Sequence, residues 1–175
     1  MQILLDRPVA ERLLEELHRA GAQEIGGLLM GEHLRDEVFR LADISVQRSG
    51  GTHSDFVRSP EKHQEQLDAF FARTGNDYAR FNYLGEWHSH PRFAPLPSDE
   101  DVNTMQSIVD DPAAGVNFLV LLIVRLAAEQ RLEMTASAFR RGGPPVPVQL
   151  SADVQRKGGP VPDGISSSGS ERPDS

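Results

Sequence analysis

The segment Gly85-Glu86-Trp87-His88-Ser89-His90-Pro91, followed by Pro97-Ser98-Asp99-Glu100-Asp101, joins a strand to a helix through polar residues that the fold must gather in one place. Side chains alternate faces along a strand, so His88 and His90 share a face with Cα atoms roughly 6.7 Å apart, while Ser89 faces away. Pro91 stops the strand, and Ser98 opens a helix whose first turn carries Asp101. Ser98 and Asp101 stand at capping-box spacing, which by itself would only close a helix N-terminus. Capping does not explain two histidines on one face beside that helix. Two imidazoles and a carboxylate are ligand types of a catalytic zinc, which takes three protein donors and leaves a fourth position to water.

Apolar spacing along the chain predicts an alternating order of elements. Residues 2–5 form a short strand, and Val9, Leu13, Leu14 and Leu17 make one face of a helix over residues 8–20, closed by Gly21. Residues 24–33 and 37–47 read as paired strands around a turn near Leu34-Arg35-Asp36, and residues 52–58 as a further short strand. Ser59-Pro60-Glu61 opens a helix that buries Leu67, Phe70 and Phe71. The strand at residues 80–90 is expected to place Phe81, Tyr83, Gly85 and Trp87 opposite the two histidines, with Trp87 in the core. The helix at 98–109 buries Val102, Met105 and Ile108 or Val109, and strands at 117–126 and 131–139 complete an α/β fold, a curved mixed sheet packed by helices. Beyond residue 141 the chain turns rich in Gly, Pro and Ser, so a domain over residues 1–141 and a tail over 142–175 are expected.

Composition narrows the function classes. A chain of 175 residues suits one domain. With no cysteine, it has no disulfide framework, no thiol nucleophile and no cysteine-ligated zinc. The most apolar run, Phe118 to Val124, ends at Arg125 and is far shorter than the about 20 residues of a membrane span. Met1-Gln2-Ile3-Leu4-Leu5-Asp6-Arg7-Pro8 lacks the basic region and apolar run of a secretion signal, so a cytoplasmic location is expected. Eighteen basic against 26 acidic residues give a formal charge of −8, the wrong sign for a phosphate-binding surface. Neither nucleic acid nor a membrane is expected as a partner.

The order His88-x-His90, seven residues, Ser98, two residues, Asp101 resembles the signature of the JAMM (MPN-plus, Mov34/Pad-1) zinc peptidases. That family also carries an upstream glutamate in a Glu-x-x-Gly segment, matched here by Glu24-Ile25-Gly26-Gly27. The resemblance covers residues 2–141 and implies a cytidine-deaminase-like α/β sandwich. It implies one zinc per chain on His88, His90 and Asp101. Glu24 would carry the proton from the attacking water to the leaving amine, and the Ser98 hydroxyl would stabilise the oxyanion.

The same resemblance points to a substrate class. Relatives that select one ubiquitin linkage carry insertions, one of them holding a second zinc with His and Cys ligands, whereas this chain has no cysteine and a short connection over residues 110–117. It therefore resembles the compact bacterial type encoded beside ubiquitin-like, activating-enzyme-like and conjugating-enzyme-like genes, several in antiviral operons. The implied activity is cleavage after the C-terminal glycine of a ubiquitin-like protein, in precursor processing or deconjugation. Its extended C-terminus would add as a strand beside the site. A peptidase acting on a sulfur-carrier protein and a non-catalytic scaffold of the same fold are the alternatives.

Overall fold

The apolar run after Asn117 becomes the centre of the structure. A computed structural model describes residues 1–47, 60–128 and 131–152. The strand and cap expected within residues 52–59 lie outside these. In chain order come β1 (Gln2–Leu5), α1 (Arg7–Ala20), β2 (Gly26–Arg35), β3 (Val38–Ile44), α2 (Pro60–Arg73) and β4 (Phe81–Ser89). They are followed by α3 (Asp99–Asp110), β5 (Leu119–Leu126), β6 (Leu132–Phe139), β7 (Val146–Pro147) and β8 (Gln149–Ala152). From Leu119 to Val124 no residue of β5 is more than 2% exposed, as a strand covered on both faces requires.

The strands form one eight-stranded mixed sheet in the order β7-β6-β5-β4-β2-β3-β1-β8. The pairs β4–β5, β1–β3 and β1–β8 are parallel, and the other neighbours run antiparallel. One cluster packs Val9, Leu13 and Leu17 of α1 against Ile3, Leu29, Leu41, Trp87, Val120, Leu122, Val124 and Ala136. The second packs Met105 and Val109 of α3 against Leu119, Leu121, Ile123 and Phe139. The alternation of β5 between the clusters shows that α1 and α3 cover opposite faces of the sheet. The helix α2 contributes the buried Phe70, which meets Phe81 of β4 edge-on.

Two expectations are corrected. The first is strand parity. Tyr83 packs against the α3 cluster while Leu84 and Trp87 belong to the α1 cluster, so Tyr83 and Trp87 face opposite ways. The cause is a register shift in the β2–β4 pairing, where Leu29 stands opposite Gly85 and Met30 opposite Tyr83. An extra residue reverses the alternation. Gly85 sits there with φ of 146°, and a Cβ on it would overlap the Val120 backbone, so glycine is required.

The second is where regular structure ends, since strands continue past residue 141. Val146 pairs with Ala138 of β6, the Val148 N–H donates to the Ala136 carbonyl at 2.9 Å, and Gln149 to Ala152 then pair with β1. One short segment thus bridges both ends of the sheet, bending it nearly into a barrel, and Val148 is only 8% exposed. Composition concealed this because the bridge rests on backbone pairing and a single buried valine. Removing residues 146–152 would take the outer strand from each end of the sheet. The hairpin turn falls at Asp36 and Glu37, with Arg35 opposite Val38 and Glu37 at φ of 56°.

Candidate metal centre

The sheet delivers both histidines to one end. His88 lies opposite Gly26 of β2 and Ile123 of β5, and the His90 N–H continues the pairing past the strand end by donating to Val124 at 2.9 Å. Ser89 turns away and exchanges hydrogen bonds with the segment before β2: its N–H reaches the Ile25 carbonyl at 2.8 Å and its Oγ accepts from the Ile25 N–H at 3.0 Å. The helix α3 begins beside them. Ser98 is its N-cap, with Oγ accepting from the Asp101 N–H at 3.2 Å, while the Ser98 N–H donates to Asp101 Oδ2 at 2.5 Å.

This capping leaves the other carboxylate oxygen for the histidines. Asp101 Oδ1 stands 3.3 Å from His88 Nε2, and the two Nε2 atoms are 3.0 Å apart. One donor atom from each of His88, His90 and Asp101 lies within 4.8 Å of the others. Two donors about 2.0–2.1 Å from a tetrahedral zinc would be about 3.3–3.4 Å apart, so two edges of the triangle are already near that size. Three acceptor-type atoms this close need a proton or a cation between them. The residues fit the metal: imidazole and carboxylate donors, two of them deeply buried, with His88 5% and Asp101 1% exposed. The half-buried His90 leaves the cluster open to solvent on one side.

Glu24 is exposed and lies just before β2. Continuing the register of Gly26 with His88 sets it level with His90, and the parity that puts Gly26 on the histidine face puts Glu24 there too. The chain thus brings His88, His90, Asp101 and Ser98 into one cluster, and Glu24 stands two residues ahead of β2's first pair with His88.

The parity reversal puts Tyr83 on the histidine face of β4. Tyr83 shares this face with Glu86, whose carboxylate accepts its hydroxyl; burial first, and then that negative charge, push the phenol well above its usual pKa. Tyr83 is therefore a neutral donor to Glu86 on the histidine face of β4, toward the strand's start. The spacing Glu86-x-His88 would have placed Glu86 there, but the bulge hid Tyr83. Of the remaining histidines, His33 stacks on Phe39 with ring centroids 5.1 Å apart, and His53 lies outside the residues described.

A curved mixed sheet with a His-x-His strand end set against a Ser-x-x-Asp helix start defines a JAB-type metallopeptidase domain. The family of prokaryotic homologs of the JAB domain matches residues 6–140, and the chain belongs to it. A CD-NTase/cGAS isopeptidase of Enterobacter hormaechei is 26% identical over 82% of this chain and 78% of its own length. A protein of the same name from Vibrio cholerae is 34% identical over 66% of this chain and 71% of its own. The solution structure of a Desulfitobacterium hafniense protein superposes with a TM-score of 0.61 over 89% of this chain and 97% of that one, at 21% identity, which shows a shared fold. No helix among the described residues is long and apolar enough to cross a membrane.

Proposed function

We propose that this chain is a zinc-dependent isopeptidase that cuts after the C-terminal glycine of a ubiquitin-like protein, one zinc being held by His88, His90 and Asp101. The observation that carries the reading is the convergence of those three donors beside the Ser98 cap, in a chain similar to proteins named isopeptidases. When bound, the zinc supplies a Lewis acid for the scissile carbonyl and a water of lowered pKa. Glu24, open to solvent, takes the proton of the attacking water and returns it to the leaving lysine amine. The Ser98 Oγ already accepts from Asp101, which leaves its hydroxyl hydrogen to donate to the developing oxyanion.

The substrate C-terminus binds extended, with glycine at the cut to pass close to the metal. Residues 132–135 of β6, level with the site through Thr135 and Ile123, pair with β5 on one side and with no strand on the other among the described residues. The substrate strand is taken to add along this edge. The isopeptidase names of two relatives favour a conjugation system over a sulfur-carrier substrate. The activating-enzyme-like and conjugating-enzyme-like proteins of the same operon are the proposed partners, and the cytoplasm the proposed compartment.

The test offers zinc-loaded protein a ubiquitin-like protein from its own gene neighbourhood, carrying a short C-terminal extension, and follows the products by mass spectrometry. Cleavage after the terminal glycine, abolished by a chelator and in Glu24→Ala, is expected. Intact fusions with fully zinc-loaded enzyme would turn the reading toward the sulfur-carrier substrate.

A further inference from the structure

His88 is held by burial, but His90 lies beyond the end of β4 and is only half-buried. Something else must restrain its ring, since a free rotamer costs ordering entropy whenever an ion binds. The connection from His90 to Ser98 is exposed at Phe93 and Leu96, yet three successive carbonyls in it are fastened. Phe93 O accepts from Arg125 Nη1 at 3.2 Å, Ala94 O lies 3.2 Å from His90 Nδ1, and Pro95 O accepts from the Thr135 hydroxyl. Arg125 is in turn gripped by Glu133, its cross-strand neighbour, at 2.7 Å through Nε. Thr135 is the cross-strand neighbour of Ile123, which pairs with His88 itself.

We propose that Arg125, Glu133 and Thr135 form a brace that positions His90 for the metal. The two outer anchors hold the Phe93 and Pro95 carbonyls, and so fix the Ala94 carbonyl between them. That carbonyl takes the proton of Nδ1, which sets the ring plane and the tautomer. Nε2 is left with its lone pair directed toward His88 and Asp101. The brace sits on the sheet, so the ligand geometry is inherited from β5 and β6 and not from the loop. Arg125, Glu133 and Thr135 are positioning residues, for none of them touches the ligand atoms. The inference rests on the zinc reading above, and its test separates the two.

Zinc affinity of the full chain is measured by competition with a chromophoric chelator, alongside melting of the apo-protein. Thr135→Val keeps the β-branched shape and loses the hydroxyl; Arg125→Met keeps the stem and loses the donor. Each is expected to weaken zinc binding about 10–100-fold, the range for partners of metal ligands, while the apo-protein melts as the wild type does. Thr135→Ser, which restores the hydroxyl, is expected to recover near wild-type affinity, a rescue that simple loss of packing would not produce. Arg125→Met keeps the aliphatic stem on β5, so it decides the matter if Thr135→Val folds poorly. Wild-type zinc affinity in both loss variants, or Thr135→Ser as weak as Thr135→Val, overturns the brace alone. A wild-type chain that binds no zinc overturns the metal reading and the brace with it.

Discussion

Two carboxylates are buried at opposite ends of the sheet, and their surroundings differ in kind. Glu32, 4% exposed on β2, lies between two guanidiniums, Arg40 Nη1 at 2.5 Å from one oxygen and Arg80 Nη2 at 2.5 Å from the other. Fixed positive charge on both sides offsets its desolvation, and the arrangement needs nothing further. Asp101, 1% exposed, gives one oxygen to the Ser98 N–H and turns the other toward the His88 imidazole. An imidazole carries charge only when protonated, so on this side the positive charge is conditional and a divalent cation can supply it. The contrast teaches that burial of an acid does not by itself mark a site. What marks it is burial among groups that become good partners only around a cation.

Exchanging each acid for its amide breaks the comparison most directly. Asp101→Asn keeps the size and an acceptor for the cap, yet zinc is expected to fall from about one per chain to nearly none and turnover to vanish. Glu32→Gln should keep its zinc and turnover and instead lose about 1–3 kcal/mol of stability, as charge-assisted hydrogen bonds are weakened. Metal analysis of both proteins, with denaturant unfolding of the second, checks the pair; equal zinc loss in both would erase the distinction. Glu24→Ala sharpens it by separating ligation from proton transfer. That variant should hold zinc and fold normally while turnover drops about 10²–10⁴-fold. Zinc missing from Glu24→Ala but normal in Asp101→Asn would exchange the two roles. The smallest effect belongs to Ser98→Ala. Turnover should fall less than in Glu24→Ala, and unfolding should show about 1 kcal/mol lost with the cap.

The capping box and the metal site are competing explanations of Ser98 and Asp101 when only their spacing is known. In three dimensions they are one device: Oδ2 closes the helix and Oδ1 faces the histidines. Capping locks the carboxylate rotamer, so a feature with a mundane purpose also pre-orients a ligand. Trp87 was legible as core, and it is 1% exposed with its indole N–H donating to the Ser45 carbonyl at 2.9 Å. Strand and helix positions were legible to within a few residues because apolar spacing is a local property. Tyr83 was not, because the bulge at Leu84 and Gly85 comes from the pairing of β4 with β2, and pairing is not written in either strand alone.

By itself the sequence determined which residues can do the chemistry. Two histidines two apart on a strand share a face, a serine and an aspartate three apart share a helix turn, and a chain without cysteine has to rest a metal on imidazole and carboxylate. Those are consequences of covalent geometry and side-chain type, and they hold wherever the segment folds. Only the tertiary structure decided that β7 and β8 complete the sheet, that Ile25 ahead of β2 meets Ser89, and that Arg125 and Thr135 fasten the loop after His90. Each of these depends on contacts between residues far apart in the chain, made largely through backbone carbonyls and N–H groups. Every residue other than proline carries the same two groups, so no pattern of side chains could announce where they would meet.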